Sequence, residues 1–122
     1  MGRNQRVGQW GEQAASAYLL AHGYEIVDRN VRTPYGEIDL VARTQGFTVF
    51  VEVKARSSSS LGPPEIAVTP RKQQHMLACA AHYAQSHGID HWQIDVVAVQ
   101  RAGCQSEIKH FENAVAPHDT DC

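Results

Sequence analysis

A mixed α/β fold, a β-sheet with helices packed on it, is what three observations predict. Two stretches carry apolar residues at helical spacing: Val7, Trp10, Ala14 and Tyr18 in the first, Met76, Leu77, Ala80, Ala81 and Ala84 in the second. Short runs rich in Val, Ile and Phe lie between and after them, separated by Gly- and Pro-containing turns. The 122 residues, 43% of them hydrophobic, suffice for one core and leave no room for a second. The order helix, strands, helix, strands then gives a single α/β domain over residues 1–122, with its core over about 6–112.

The first helix runs from about Arg6 to His22, where Gly23 is placed to end it. Gly8 and Gly11 each cost roughly 1 kcal/mol relative to Ala in a helix interior. They point to close approach of a backbone or a phosphate, or else to a frayed first turn. Tyr24–Val31 reads as a strand with Tyr24, Ile26 and Asp28 on one face, and Thr33–Gly36 as a turn. Glu37–Arg43 and Phe47–Lys54 read as an antiparallel hairpin joined through Gln45-Gly46. The Val- and Phe-rich second arm has the composition of a strand buried on both faces. Ala55–Pro64 loses periodicity and reads as a loop, either a plain connector or a flap over a substrate. Thr69-Pro70 is an N-cap followed by proline in the first turn, so a second helix runs from there to about His87, ended by Gly88. Trp92–Val99 is a fourth strand, Glu107–Phe111 a short fifth, and residues 113–122 a flexible tail. Trp10 and Trp92 read as core residues.

The net charge of −2 argues against coating of nucleic acid by bulk positive charge. The distribution is uneven, however. Up to Lys72 there are nine Lys/Arg and seven Asp/Glu; beyond it there are two and six. If Glu12, Glu37, Asp39 and Glu52 held metal, the surrounding surface would be basic, carried by Arg3, Arg6, Arg29, Arg32, Arg43, Arg56, Arg71 and Lys72. Cys79, Cys104 and Cys122 are too few and too scattered for a disulfide framework or a thiolate zinc site. His75, Cys79 and His82 share one side of the second helix and read as a small-residue face with polar edges rather than a metal site. A polar start (MGRNQRVGQW) and the lack of any long apolar run predict a cytoplasmic protein without membrane contact.

The charged residues inside the hairpin are the sharpest signal. GEIDLVA (Gly36–Ala42) and FVEVKAR (Phe50–Arg56) are mostly apolar, yet Asp39, Glu52 and Lys54 interrupt them. A charge set among core residues is costly unless partnered. Side chains alternate along a strand, so Glu52 and Lys54 share a face at a separation of roughly 7 Å, with Phe50 and Arg56 in the same parity. By the same alternation Glu37 and Asp39 share one face, while Ile38 and Leu40 point to the other. In a suitable register Asp39 meets Glu52 across the hairpin. Paired carboxylates with a backbone carbonyl and water form an oxygen shell suited to Mg²⁺ or Mn²⁺ rather than zinc. Such an ion binds phosphate oxygens, and a lysine beside it can orient water or stabilise developing charge. A structural Glu52–Lys54 salt bridge is the other reading. Arg71 and Lys72, in the first turn of the second helix, suit phosphate contact or plain solvation.

Asp39, Glu52-Val53-Lys54 and the upstream Glu12 resemble the PD-(D/E)xK nuclease motif. More closely, GQWGEQAASAYLLAHGY, RNVRTPYGEIDLVA, VFVEVKAR, TPRKQQHMLACAAHYA and IDVVAV resemble the YraN-like family of predicted endonucleases, distant relatives of archaeal Holliday-junction resolvases. The resemblance spans Gly8 to about Val99. It implies a restriction-endonuclease-like sheet and metal-dependent cleavage of DNA, including branched DNA. It makes Asp39 and Glu52 metal ligands, with the Val53 carbonyl a third contribution, and Lys54 the catalytic lysine. Glu12 becomes an outer ligand or water-orienting acid, Glu37 an accessory acid or an arginine's partner, and Arg56 a phosphate contact. Ile38 stands where the motif's name has proline, a position that varies. Resolvase-like relatives act as dimers, which makes a homodimer compatible with the resemblance. Two other functions fit the same residues: a non-catalytic nucleic-acid-binding module, and a partner-binding domain with internal salt bridges.

Overall fold

The computed structural model describes residues 2–56, 69–102 and 104–115. The elements follow in the order α1 (Gly2–Ala21), β1 (Glu25–Thr33), β2 (Gly36–Thr44), β3 (Phe47–Arg56), α2 (Pro70–Ser86), β4 (Trp92–Ala102) and β5 (Gln105–Val115). The five strands make one sheet in sequence order. All neighbours are antiparallel except β3 and β4, which run parallel through the α2 crossover. The expected mixed α/β sheet is therefore present, in the arrangement of a restriction-endonuclease-like core.

Each helix covers one face of the sheet. Ala15 and Leu19 of α1 pack on Leu40, Ala42, Val49, Val51, Val97 and Val99. Cys79, Ala80, Tyr83 and Ala84 of α2 pack on Ile38, Val41, Phe50 and Ile94. β3 thus feeds both clusters, Val49 and Val51 one way and Phe50 the other, as its composition predicts. Both tryptophans pack partly buried against the core, Trp10 on the α1 side and Trp92 on the α2 side.

Local chemistry sets the element ends. Gln45 and Gly46 both take positive φ, 50° and 84°, the geometry of a two-residue hairpin turn whose twist suits its strands. Thr69 caps α2 by accepting the Lys72 amide at 3.1 Å, with proline at the start of the first turn. Gly88, at φ 65°, ends α2 as the Ile89 amide returns to the Ala84 carbonyl at 2.8 Å.

Four details differ from the sequence reading. A bulge between Ile26 and Asp28 shifts the β1 register, so Asp28 does not share a face with Tyr24 and Ile26. Those two pack on the α1 side, whereas Asp28 accepts the Tyr83 hydroxyl of α2 at 3.4 Å. Alternation also fails across Asp39: Ile38 joins the α2-side cluster and Leu40 the α1-side cluster. β3 continues through Ala55 and Arg56, so the expected loop would start at Ser57; the substrate-flap reading falls on 57–64, outside the described residues. β5 is eleven residues long and carries the chain through buried Val115, past the expected end at Phe111. The remainder of the expected tail, 116–122, also lies outside the described residues.

Gly11 explains itself. A Cβ there would lie 2.6 Å from the Ala55 Cβ, so α1 and the end of β3 touch with no side chain between them. Gly11→Ala is expected to destabilise by about 1–3 kcal/mol despite the better helix propensity of alanine, because overpacking outweighs it. Chemical denaturation measures this; a gain in stability would show that the helix shifts freely.

The sequence reading overlooked one buried polar group. Asp95 of β4 is fully buried. Its Oδ1 accepts from Gln93 Nε2 at 2.9 Å and from the Asn113 amide at 2.8 Å, and its Oδ2 meets His110 Nε2 at 2.7 Å. With Nε2 turned to the carboxylate, His110 Nδ1 accepts the Tyr18 hydroxyl at 3.0 Å. The network ties β5 to β4 and α1. Asp95→Ala should cost about 3 kcal/mol, since it strands several donors at once. Thermal melting checks this, and a loss below about 1 kcal/mol would mean water satisfies the site.

Candidate functional site

The functional cluster forms where β2 parts from β3 beneath the start of α2. The last β2–β3 partners at that end are Leu40 and Val51. One step further, Asp39 stands level with Glu52, and its Oδ2 accepts the Val53 amide at 2.8 Å. The carboxylate thus takes a backbone donor at the opening of the hairpin, and the strand's facing is broken at this position. Glu52 and Lys54 follow on β3, and α2 brings Lys72. Lys54 Nζ lies 3.6 Å and Lys72 Nζ 3.2 Å from the same Glu52 Oε2. An open cleft of about 280 Å³ adjoins the group, lined by Tyr35, Glu37, Asp39, Glu52, Lys72 and His75 among others, with Lys54 at its margin through Glu52.

Electrostatics match this crowding. Burial, reinforced by the Glu52 charge, pushes the Asp39 carboxyl up to about 7, against a lowering from the Val53 hydrogen bond. Burial and the neighbouring Lys72 ammonium lower the Lys54 pKa, with Glu52 opposing. Lys72 is raised, chiefly through its contact with Lys54 and the Glu52 charge.

Glu12 enters from the α1 side, placed by the Gly11–Ala55 contact next to it. Its carboxyl is raised, mainly by burial, and Asn30 is its hydrogen-bonding neighbour. With the Asn30 amide turned to face it, the nitrogen is 3.2 Å from both Glu12 oxygens. Glu12 is close enough for its charge to act on Asp39. Glu37 sits on the cleft wall and pairs with Arg32 at 3.6 Å in an exposed contact. Arg71 is exposed beside Lys72, and Arg56 is half-buried at the end of β3. Lys72, read from sequence as a phosphate contact or a solvated helix start, is also part of the cluster. The signal for this was its place three residues after the Thr69 cap, which fixes it in the first turn of α2.

Asp39 and Glu52 are the residues with the chemistry to hold a hard divalent cation: two crowded carboxylates, one of them pushed toward its protonated form by burial and by the charge of the other. Among the described residues no three His, Cys, Asp or Glu side chains form a ready ligand group. An ion there would draw the rest of its shell from backbone oxygen, water and substrate. The helical His75–Cys79–His82 row does not gather as a site. Cys79 is buried in the core and receives the Thr33 hydroxyl at 3.3 Å, and His82 lies edge-on to Tyr35.

Fold and site together define an α/β protein with paired carboxylates and two lysines at the end of a parallel strand pair. Residues 11–99 match the model of the family described as Uncharacterised protein family UPF0102, and the chain belongs to that family. It is similar to UPF0102 proteins from Syntrophotalea carbinolica (44% identical, covering 88% of this chain and 89% of the relative), Syntrophomonas wolfei (42%, covering 91% and 98%) and Syntrophus aciditrophicus (43%, covering 88% and 88%). Among the described residues no helix is long and apolar enough to cross a membrane.

Proposed function

We propose that the protein is a metal-dependent nuclease that hydrolyses phosphodiester bonds in DNA, including branched DNA, the substrate of the resolvases to which the predicted endonucleases it resembles are distantly related. The observation that carries this reading is the meeting of Asp39, Glu52 and Lys72 on one open cleft, with Lys54 joined to them through Glu52. A structural salt bridge accounts for Glu52 and Lys54 alone. It gives no reason to crowd Asp39 against Glu52 at a cost to its ionisation.

In this proposal Asp39 and Glu52 hold Mg²⁺ or Mn²⁺, with the Val53 carbonyl as a third oxygen. The bound ion would supply charge neutralisation at a phosphate oxygen and a more acidic water. Lys54, half-buried next to Glu52, places an ammonium where negative charge builds on the phosphate. Glu12 orients water from the α1 side. Arg56 and Arg71 hold neighbouring phosphates, with the amide-rich start of α2 adding to the pull on anions.

The test is a cleavage panel of duplex, single-stranded, flap and four-way-junction DNA, with matched RNA, in Mg²⁺, Mn²⁺ or chelator. Cleavage is expected with divalent ion only. If no substrate is cut, yet binding persists without metal and survives loss of Lys54, the protein is a binding module on this fold.

A further inference from the structure

Two lysines share one oxygen of Glu52, a carboxylate on the wall of the cleft. Lys72 Nζ is the nearer to Glu52 Oε2, at 3.2 Å against 3.6 Å for Lys54. Sharing one carboxylate oxygen brings the two lysines near each other, an arrangement the Glu52 charge sustains. In the free protein the two lysines are the cations paired with Glu52. A divalent cation on Asp39 and Glu52 would make the lysines surplus positive charge, with Lys72 facing a cleft open to solvent.

The two lysines are held differently. Lys54 projects from β3, the central strand of the sheet, and is the more enclosed, its side chain 35% exposed against 45% for Lys72. Lys72 has its backbone fixed by the Thr69 cap, while its four-carbon stem and half-exposed head can swing. It also begins a helix, beside exposed Arg71, where a phosphate is favoured. Of the two, Lys72 can leave Glu52 and reach an anion without disturbing the sheet.

From this we infer that Lys72 couples cation binding to DNA binding: it sits on Glu52 in the free protein and passes to a backbone phosphate when a divalent cation takes that carboxylate. The inference rests on the nuclease reading and deepens it. Lys72 is then a competitor of the metal in the absence of DNA and a partner of the metal in its presence. Linkage requires the reciprocal effect, so DNA tightens the metal as the metal tightens DNA.

The experiment uses full-length protein and two measurements. Calorimetric titration of DNA-free protein with Mn²⁺ compares the parent with Lys72→Met, which keeps the apolar stem. The variant is expected to bind Mn²⁺ about five- to tenfold more tightly, having lost a positive charge beside the site. DNA binding is then followed by anisotropy in a Lys54→Met background, to keep the DNA uncut, with and without Mn²⁺ and over a range of salt. Adding Lys72→Met should remove most of the Mn²⁺-induced gain in affinity. It should also reduce the salt slope by about one in Mn²⁺ and leave it unchanged in chelator. An equal loss of DNA affinity with and without Mn²⁺ would make Lys72 an ordinary phosphate contact and overturn the coupling. So would unchanged Mn²⁺ affinity in Lys72→Met. A parent protein that binds no Mn²⁺ would sink the nuclease reading itself and the coupling with it. Circular dichroism of each variant checks that the fold is retained.

Discussion

Lys54→Met is expected to reduce metal-dependent cleavage by roughly a thousandfold while leaving the fold in place. The size follows from what the ammonium does. In a half-buried cleft, a positive charge held in position acts on the charge that develops during phosphoryl transfer and needs no reorganisation when the reaction occurs. The structural cost should be small, within about 1 kcal/mol, because two effects oppose. The variant loses the contact to Glu52, and it relieves the crowding between Lys54 and Lys72. Single-turnover cleavage measures the first quantity and urea denaturation the second. A variant that still cuts within about tenfold of the parent would remove Lys54 from the chemistry. A variant that unfolds would make the residue a structural one.

Asp39→Asn should make the metal-free protein more stable at alkaline pH, a gain obtained by damaging the site. Asp39 has its folded pKa raised from 3.8 to about 7. The folded state therefore disfavours the charged form. The stability associated with this group is fully present below about pH 4 and is lost as pH rises through about 7. At about pH 8 the full penalty applies, up to about 4 kcal/mol, and asparagine avoids it while its side-chain oxygen can still accept the Val53 amide. At about pH 5 most of the difference should vanish. Denaturation in chelator at both values tests the sign. The reverse holds with Mn²⁺, which should stabilise the parent and leave the variant unmoved. Equal destabilisation of the variant at both pH values would show that Asp39 serves only as the anchor for Val53.

What could be read from the sequence depended on whether a signal was local. Thr69-Pro70 and Gly88 bound α2 through their own backbone chemistry, and Gln45-Gly46 turns the hairpin the same way. The pairing of Asp39 with Glu52 was conditional on a suitable register, and the turn supplies it by setting Thr44 opposite Phe47 and Leu40 opposite Val51. The bulge at Val27 had no such marker, and it turned Asp28 to the unexpected face. β5 was read too short because it is an edge strand with most side chains exposed and no clean alternation.

The clearest lesson lies in two nearly identical segments. Ile38-Asp39-Leu40-Val41-Ala42 and Ile94-Asp95-Val96-Val97-Ala98 carry the same interruption of an apolar strand by an aspartate. Asp95 receives two nitrogen donors and a histidine within the fold and is closed off. Asp39 receives one amide, and its other neighbours include Glu52, Glu12 and Glu37. The residue pattern marks both positions as unusual. Only the partners supplied by distant segments separate a structural lock from a candidate site.

The contact of Gly11 with Ala55 has a consequence for how this chain can diverge. It is the point where the first helix is gauged against the third strand, one residue from Glu12 and one from Lys54. The two positions share a fixed volume, so a methyl group gained at 11 must be given up at 55 if the distance is to be kept. Drift at this pair is constrained as an exchange rather than as two independent changes. A lineage that breaks the exchange would shift Glu12 relative to Lys54 without altering a single charged residue.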